Sequence, residues 1–138
     1  MPKGDCYIKT GKLASDIFSR AEKKMKGCET TKHFFSETPI KEKNGYIEFY
    51  GKPKVVHAQI NKTSLGYPYG HAFIADDKLV YDLSNDRCII ADKNIYYALA
   101  GIKKHKPYYY EYTPVEVMTL MLKEGHYGSW DLETDSGV

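Results

Sequence analysis

Three short segments hold side chains that could act together on a carbonyl carbon: Gly4-Asp5-Cys6-Tyr7, Tyr69-Gly70-His71-Ala72-Phe73 and Val80-Tyr81-Asp82-Leu83. A cysteine attacks such a carbon as its thiolate, and an unperturbed thiol, with a pKa of about 8.5, is mostly protonated near neutrality. Two devices correct this. The N-terminus of a helix offers unpaired N–H groups and a partial positive charge, and a neighbouring imidazole takes the proton to form a thiolate–imidazolium pair. A carboxylate on the other imidazole nitrogen then fixes the ring's orientation and stabilises its charge. Cys6 at a helix start, His71 opening a strand and Asp82 closing the next strand would supply nucleophile, general base and orienting group.

The interval between His71 and Asp82 suits a hairpin. With a two-residue turn at Asp76-Asp77, the antiparallel register sets the two residues directly opposite each other, on one face, with Cβ atoms about 5 Å apart. A nucleophile of this kind also needs donors for the developing oxyanion. The Cys6 backbone N–H is one candidate. His57 and Gln59 alternate along one strand pattern and so face the same way, either toward substrate or as an exposed strand face. Tyr7, Tyr67 and Tyr69 flank the three segments and either shape a substrate groove or pack. Trp130 is isolated in a polar end, so residues 126–130 are expected to fold back as a lid.

The remaining thiols, Cys28 and Cys88, read as structural. Three cysteines are an odd number with no C-x-x-C pair, which suits neither a disulfide framework nor a closely spaced zinc site. Zinc on Cys6, His71 and Asp82 is chemically feasible, but the same residues explain covalent catalysis without a further component. No cofactor and no metal are expected.

These residues must be positioned by regular elements. Leu13, Ala14, Ile17, Phe18, Ala21 and Met25 recur at helical spacing, which predicts a helix over residues 6–26 with Asp5 as N-cap and Gly27 as stop. Gly11 weakens that helix locally. Strands are predicted over residues 46–50, Lys54–Ile60, 71–74 and 79–83, the last two forming a hairpin. Residues 94–103 read as a short helix with Ile95, Tyr96, Leu99 and Ile102 inward, and residues 108–112 as a strand. Thr113-Pro114-Val115-Glu116 is a capping box with proline at the first helical position, opening a helix that carries Val117, Leu120 and Met121 and stops at Gly125. Residues 29–38 receive no assignment. The fold class is α+β: an N-terminal helix packed on a mostly antiparallel sheet, then a small C-terminal helical part. One cysteine-enzyme-like domain over residues 1–126 is expected, with residues 127–138 as a surface tail.

The chain has 138 residues, room for one domain. At 42% hydrophobic and 28% charged it can build an ordinary core. A net charge of +2 is far from the basic excess of a dedicated nucleic-acid binder. No apolar run approaches the ~20 residues that span a bilayer, and the N-terminus has no signal-peptide core. A cytoplasmic protein with no membrane partner is expected.

The order of a cysteine at a helix start, a histidine in Gly70-His71-Ala72-Phe73 and an aspartate closing the next strand resembles transglutaminase-like and papain-like cysteine enzymes. The likeness covers residues 4–7 and 69–83. The whole chain is also similar to small phage or prophage proteins of unassigned function, which implies the host cytoplasm as its setting. The resemblance implies the papain-like or transglutaminase-like core and a Cys6–His71–Asp82 triad acting on an amide or thioester in a protein, a peptide or a peptidoglycan stem. The tryptophan usual beside the nucleophile is absent, and the interval from His71 to Asp82 is short for a transglutaminase, so hydrolysis and acyl transfer both stay open. A rival reading is a non-catalytic binding module of the same fold. It would engage a host protein, or single-stranded nucleic acid through Lys103-Lys104-His105-Lys106 and Tyr108-Tyr109-Tyr110.

Overall fold

Cys6, Thr10 and Ala14 stand four residues apart and form the buried stripe of the first helix, α1 (Asp5–Phe18), while Lys12 points to solvent. The computed structural model describes residues 5–18, 32–35, 37–43, 46–63, 66–83 and 88–135. Asp5 is the first residue inside the helix instead of its cap, and the predicted stop at Gly27 lies outside the described residues. Gly11 has a packing reason: a Cβ there would run into the Tyr127 ring.

The strands are β1 (Lys32–Phe35), β2 (Lys41–Lys43), β3 (Tyr46–Glu48), β4 (Lys54–Ile60), β5 (Tyr69–Ala75), β6 (Leu79–Asp82), β7 (Cys88–Asp92) and β8 (Tyr109–Tyr112). Six of them form one sheet in the order β1-β7-β6-β5-β4-β8. Five run antiparallel to their neighbours, and β1 joins the edge parallel to β7. The three strands predicted to share an antiparallel sheet do so as β4, β5 and β6. The segment around Tyr46 forms instead a separate two-stranded ribbon, β2 with β3.

Ladder partners assign each side chain to a face, since partners point the same way. One face carries Val55, Ile74, Tyr81, Ile90 and Tyr112 and is covered by α1 and by the last helix, α3 (Pro114–Glu124), through Ala14 and Val117. The other carries Val56, Ala58, Phe73, Ala75, Val80 and Tyr109 against the middle helix, α2 (Lys93–Ala100), through Tyr97. The α2 stripe differs from the predicted one. Tyr96 and Ile102 pack inward as predicted, but Ile95 and Leu99 are exposed and Tyr97 turns inward in their place, because the Tyr96 and Tyr97 rings both pack on Phe73 and both hydroxyls find partners there. The α3 prediction matches: Thr113 accepts from the Glu116 N–H, Glu116 answers with the Thr113 N–H, and Gly125 closes the helix.

The β5–β6 turn sits one residue later than the sequence suggested. Asp76 is already paired, its N–H donating to the Leu79 carbonyl at 3.0 Å, and Asp77-Lys78 form the tip. The reason is the buried Asp76 carboxylate, which accepts from the Lys78 and Leu79 N–H groups, the Tyr50 N–H and the Tyr81 hydroxyl. Ala75 therefore faces Val80 and Ile74 faces Tyr81. One rung further, the residue opposite Asp82 is Phe73, not His71. A shift of two positions preserves the face, so His71 and Asp82 still point to the same side.

Residues 127–135, the described part of the expected surface tail, lie along the sheet and α1. Tyr127 and Trp130 pack against the core, and Glu133 and Asp135 N–H groups bond to the Pro107 carbonyl and the Gln59 side chain. Among the described residues no helix is long and apolar enough to cross a membrane.

Candidate functional site

Cys6 occupies the second position of α1, where backbone N–H groups have no intrahelical acceptor and the helix dipole is positive. It is a free thiol, 2% exposed. His71 and Asp82 are each 5% exposed, and His71 Nε2 donates to Asp82 Oδ2 at 2.8 Å. The same oxygen accepts the Tyr96 hydroxyl at 2.8 Å, so His71 and Tyr96 both hold the carboxylate.

Burial alone would strip the His71 ring of its charge. The Asp82 carboxylate overrides that through its charge and hydrogen bond, the Cys6 thiol adds in the same direction, and the imidazole is pushed up to about 10. The ring's other nitrogen, Nδ1, is buried without a hydrogen-bond partner of ordinary geometry. Cys6 is the further neighbour acting on the ring. The imidazole thus lies between a carboxylate on Nε2 and a thiol close enough to favour its charged form.

The sheet makes this meeting feasible. The β5–β6 ladder ends at Ile74↔Tyr81, so among the described residues β5 ahead of Ile74 is paired with β4 alone. There Thr10 Oγ1 of α1 donates to the Ala72 carbonyl at 3.3 Å. His71 and Asp82 belong to the α2 face, whereas α1 packs on the opposite one. Cys6 reaches the imidazole at this open end of the sheet, beyond the last β5–β6 rung.

Tyr69 stands edge-on to His71 with ring centroids 6.1 Å apart; burial first, then the Asp82 and Cys6 charges, push its phenol upward. Tyr7 follows Cys6 and sets its hydroxyl where a Cβ on residue 70 would sit, at 2.7 Å, which explains glycine there. Tyr67 is exposed.

His57 and Gln59 share a face, as their alternation implied, but it is the α1 face and not that of the His71 ring. His57, 1% exposed, is boxed by Tyr7, Tyr112 and Trp130 at 4.9, 4.9 and 5.2 Å between ring centroids. Burial drives it down to about 3, against a small opposing pull from Asp131, and its Nδ1 has no hydrogen-bond partner. Gln59 is fully buried, and both ends of its amide are engaged: Nε2 donates to Asn61 and Asp135, and Oε1 accepts from the Asp135 N–H. Neither is a free oxyanion donor here. Trp130 does fold back, onto His57 instead of over Cys6.

Sequence reasoning missed Tyr96 and the role of residues 132–135. Tyr96 could have been found by asking what polar partner a buried tyrosine would seek on the strand face beneath its helix. Cys28 lies outside the described residues, and Cys88 opens β7. Among the described residues no group of three His, Cys, Asp or Glu side chains is arranged to hold a metal ion. An open cleft lined by Lys104, His105, Tyr110, Glu111, Glu116 and Asp131 runs along β8 and shares no lining residue with the Cys6–His71–Asp82 cluster. No family model, curated protein or solved structure matches this chain.

Proposed function

We propose that this protein is a cysteine-dependent hydrolase or acyltransferase on a papain-like or transglutaminase-like core, acting on an amide or thioester. One observation carries it: the buried His71 ring bonded to Asp82 at 2.8 Å, with the helix-start thiol of Cys6 as the further neighbour that favours its charged form. Burying an ionised histidine has a large cost unless the charge is used or paired, and a thiol beside it supplies a use.

Cys6 Sγ, ionised as the thiolate partner of the His71 imidazolium, attacks the carbonyl carbon, and the carbon–oxygen double bond opens to an oxyanion facing the Cys6 N–H. As the tetrahedral species collapses, the imidazolium gives its proton to the departing amine or thiol, leaving a Cys6 thioester. Water or an amine then attacks, His71 accepts its proton, the tetrahedral species expels the Cys6 thiolate to restore the ion pair, and Asp82 holds the ring throughout. A reducing cytoplasm, the host's if the chain is phage-encoded, keeps Cys6 as a thiol.

The nucleic-acid alternative would use the basic run and the tyrosines after it. Those rings are engaged within the chain: Lys103 and Lys106 sit over Tyr108 and Tyr110, and the Tyr109 hydroxyl bonds to Tyr97 and Glu111. That leaves little free ring surface for stacked bases.

Incubation with an electrophilic acyl probe, read by intact mass and peptide mapping, tests the proposal. One adduct on Cys6, lost in both Cys6→Ala and His71→Ala, is expected. An adduct that persists in Cys6→Ala overturns it.

A further inference from the structure

Gly70 and Gln59 are direct ladder partners at the end of the sheet where Cys6 meets His71. Residue 70 has no side chain, and the Tyr7 hydroxyl, the Gln59 amide, the Pro107 carbonyl and Tyr108 surround the space beside it. Residues 132–135 of the same chain fill that space. A Cβ on residue 70 would lie 3.1 Å from Leu132 Cδ2 and 3.6 Å from Thr134 Cγ2. The alternate residues use their backbones: the Glu133 N–H donates to the Pro107 carbonyl at 3.0 Å, and the Asp135 N–H to Gln59 Oε1 at 2.6 Å. Side chains from 132 and 134 and main chain from 133 and 135 make the two-residue alternation of an extended peptide laid in a groove.

The acidic end is read as well. Asp135 Oδ2 accepts from Gln59 Nε2 at 3.1 Å and lies 3.9 Å from Lys103 Nζ. The hydrogen bonds from Gln59 and Tyr108 hold that carboxyl below its usual range. The buried Gln59 amide thus offers one donor and one acceptor to a single residue of an extended segment, its carboxylate and its main-chain N–H. The location matters too: although Gly70 and the His71 ring face opposite sides of the sheet, Tyr7, which follows the nucleophile, sets its hydroxyl 2.7 Å from the position of a Cβ on residue 70.

We infer that the space between Gly70, Gln59 and Tyr108 is the peptide-binding subsite of the Cys6–His71 centre, that residues 132–135 occupy it in cis, and that its external ligand is an extended peptide with branched side chains two residues apart followed by an acidic residue. The inference rests on the proposed acyl chemistry for its purpose, but peptide binding stands or falls separately. A tethered segment acts at an effective concentration in the millimolar range, so an external peptide must compete with it.

The test uses the full chain carrying Cys6→Ala, which removes chemistry from the readout. A fluorescein-labelled peptide of residues 129–135, amidated at its C-terminus, is titrated by anisotropy against this protein and against versions that also carry Leu132→Ser or Asp135→Ala. Each substitution weakens the internal occupant and should tighten binding of the external peptide at least fivefold. A peptide with aspartate 135 replaced by lysine should bind at least tenfold more weakly to both variants. Thermal melting confirms that each variant is folded, and the two are read independently. Equal binding by parent and variants, or equal binding of the lysine-substituted peptide, overturns the inference. Failure of the acyl-probe experiment with peptide binding intact would instead remove the catalytic proposal and leave the groove.

Discussion

The His71 imidazole and the Asp82 carboxylate meet at 2.8 Å although no ladder rung joins their residues. They are diagonal neighbours on one face of a hairpin whose pairing ends at Ile74↔Tyr81. Diagonal side chains start farther apart than opposite ones, at about 7–8 Å between residues, and need length to touch. The imidazole supplies that length, and Tyr96 anchors the carboxylate from the side of α2. Among the described residues the offset also leaves the start of β5 paired with β4 alone, where the N-terminal part of α1 approaches.

Replacing Tyr96 by Phe removes one donor to Asp82 Oδ2 and preserves ring packing on Phe73. A hydrogen bond to a charged group is worth about 1.5–3 kcal/mol. Urea unfolding should therefore show a loss of about 1–2 kcal/mol with an unchanged slope. An unchanged midpoint would mean that Tyr96 does not support the carboxylate.

The His71 ring gives a basic-side signature. Its pKa is raised in the folded protein, to about 10, above an unfolded value of about 6.5. The unfolded chain releases this proton first, so the stabilisation is complete below about pH 6.5 and is lost as pH rises toward 10. Melting temperatures between pH 6.5 and 10 should fall more steeply for the wild type than for a His71→Ala, Asp82→Ala double variant. Parallel curves would show that the pair does not carry the charge.

His57 gives the opposite sign. Its folded pKa is lowered by burial to about 3, so protons favour the unfolded chain as pH drops below about 6.5. The stabilisation is present above that value and is lost progressively toward pH 3. A His57→Phe variant keeps an aromatic ring inside the Tyr7, Tyr112 and Trp130 box without the unpartnered Nδ1. Its melting temperature should decline less between pH 6.5 and 3 than that of the wild type. Identical acid limbs would place His57 in contact with water.

Much of this architecture was legible where local chemistry is explicit. The capping box at Thr113, the alternation of β4 and the hairpin of β5 and β6 depend on neighbours in sequence, and each appears in the structure. What could not be read depends on distant partners. β1 has four residues and is completed by parallel pairing with β7, more than fifty positions away. Asp76 and Asp77 are chemically identical turn formers, and only the donors from Tyr50 and Tyr81 decide which is buried. Ile95 and Leu99 match a helical stripe as well as Tyr96 and Tyr97 do, until Phe73 and Asp82 supply a surface for rings with hydroxyls. For the site, residue types and order identified Cys6, His71 and Asp82. Gln59 could be placed on a face, but its partner, Asp135, lies 76 positions away.

The most direct measurement is the rate of iodoacetamide alkylation at each cysteine, resolved by mass spectrometry across pH 5–9 in wild type and His71→Ala. An imidazolium beside Cys6 stabilises the thiolate near neutrality, whereas an isolated thiol reacts in proportion to its small ionised fraction. Cys6 should react faster than Cys28 and Cys88 at pH 6, and His71→Ala should slow it at least tenfold at that pH. A Cys6 rate that His71→Ala leaves unchanged, or one no faster than the other two cysteines, would contradict the thiolate–imidazolium pair and with it the proposed chemistry.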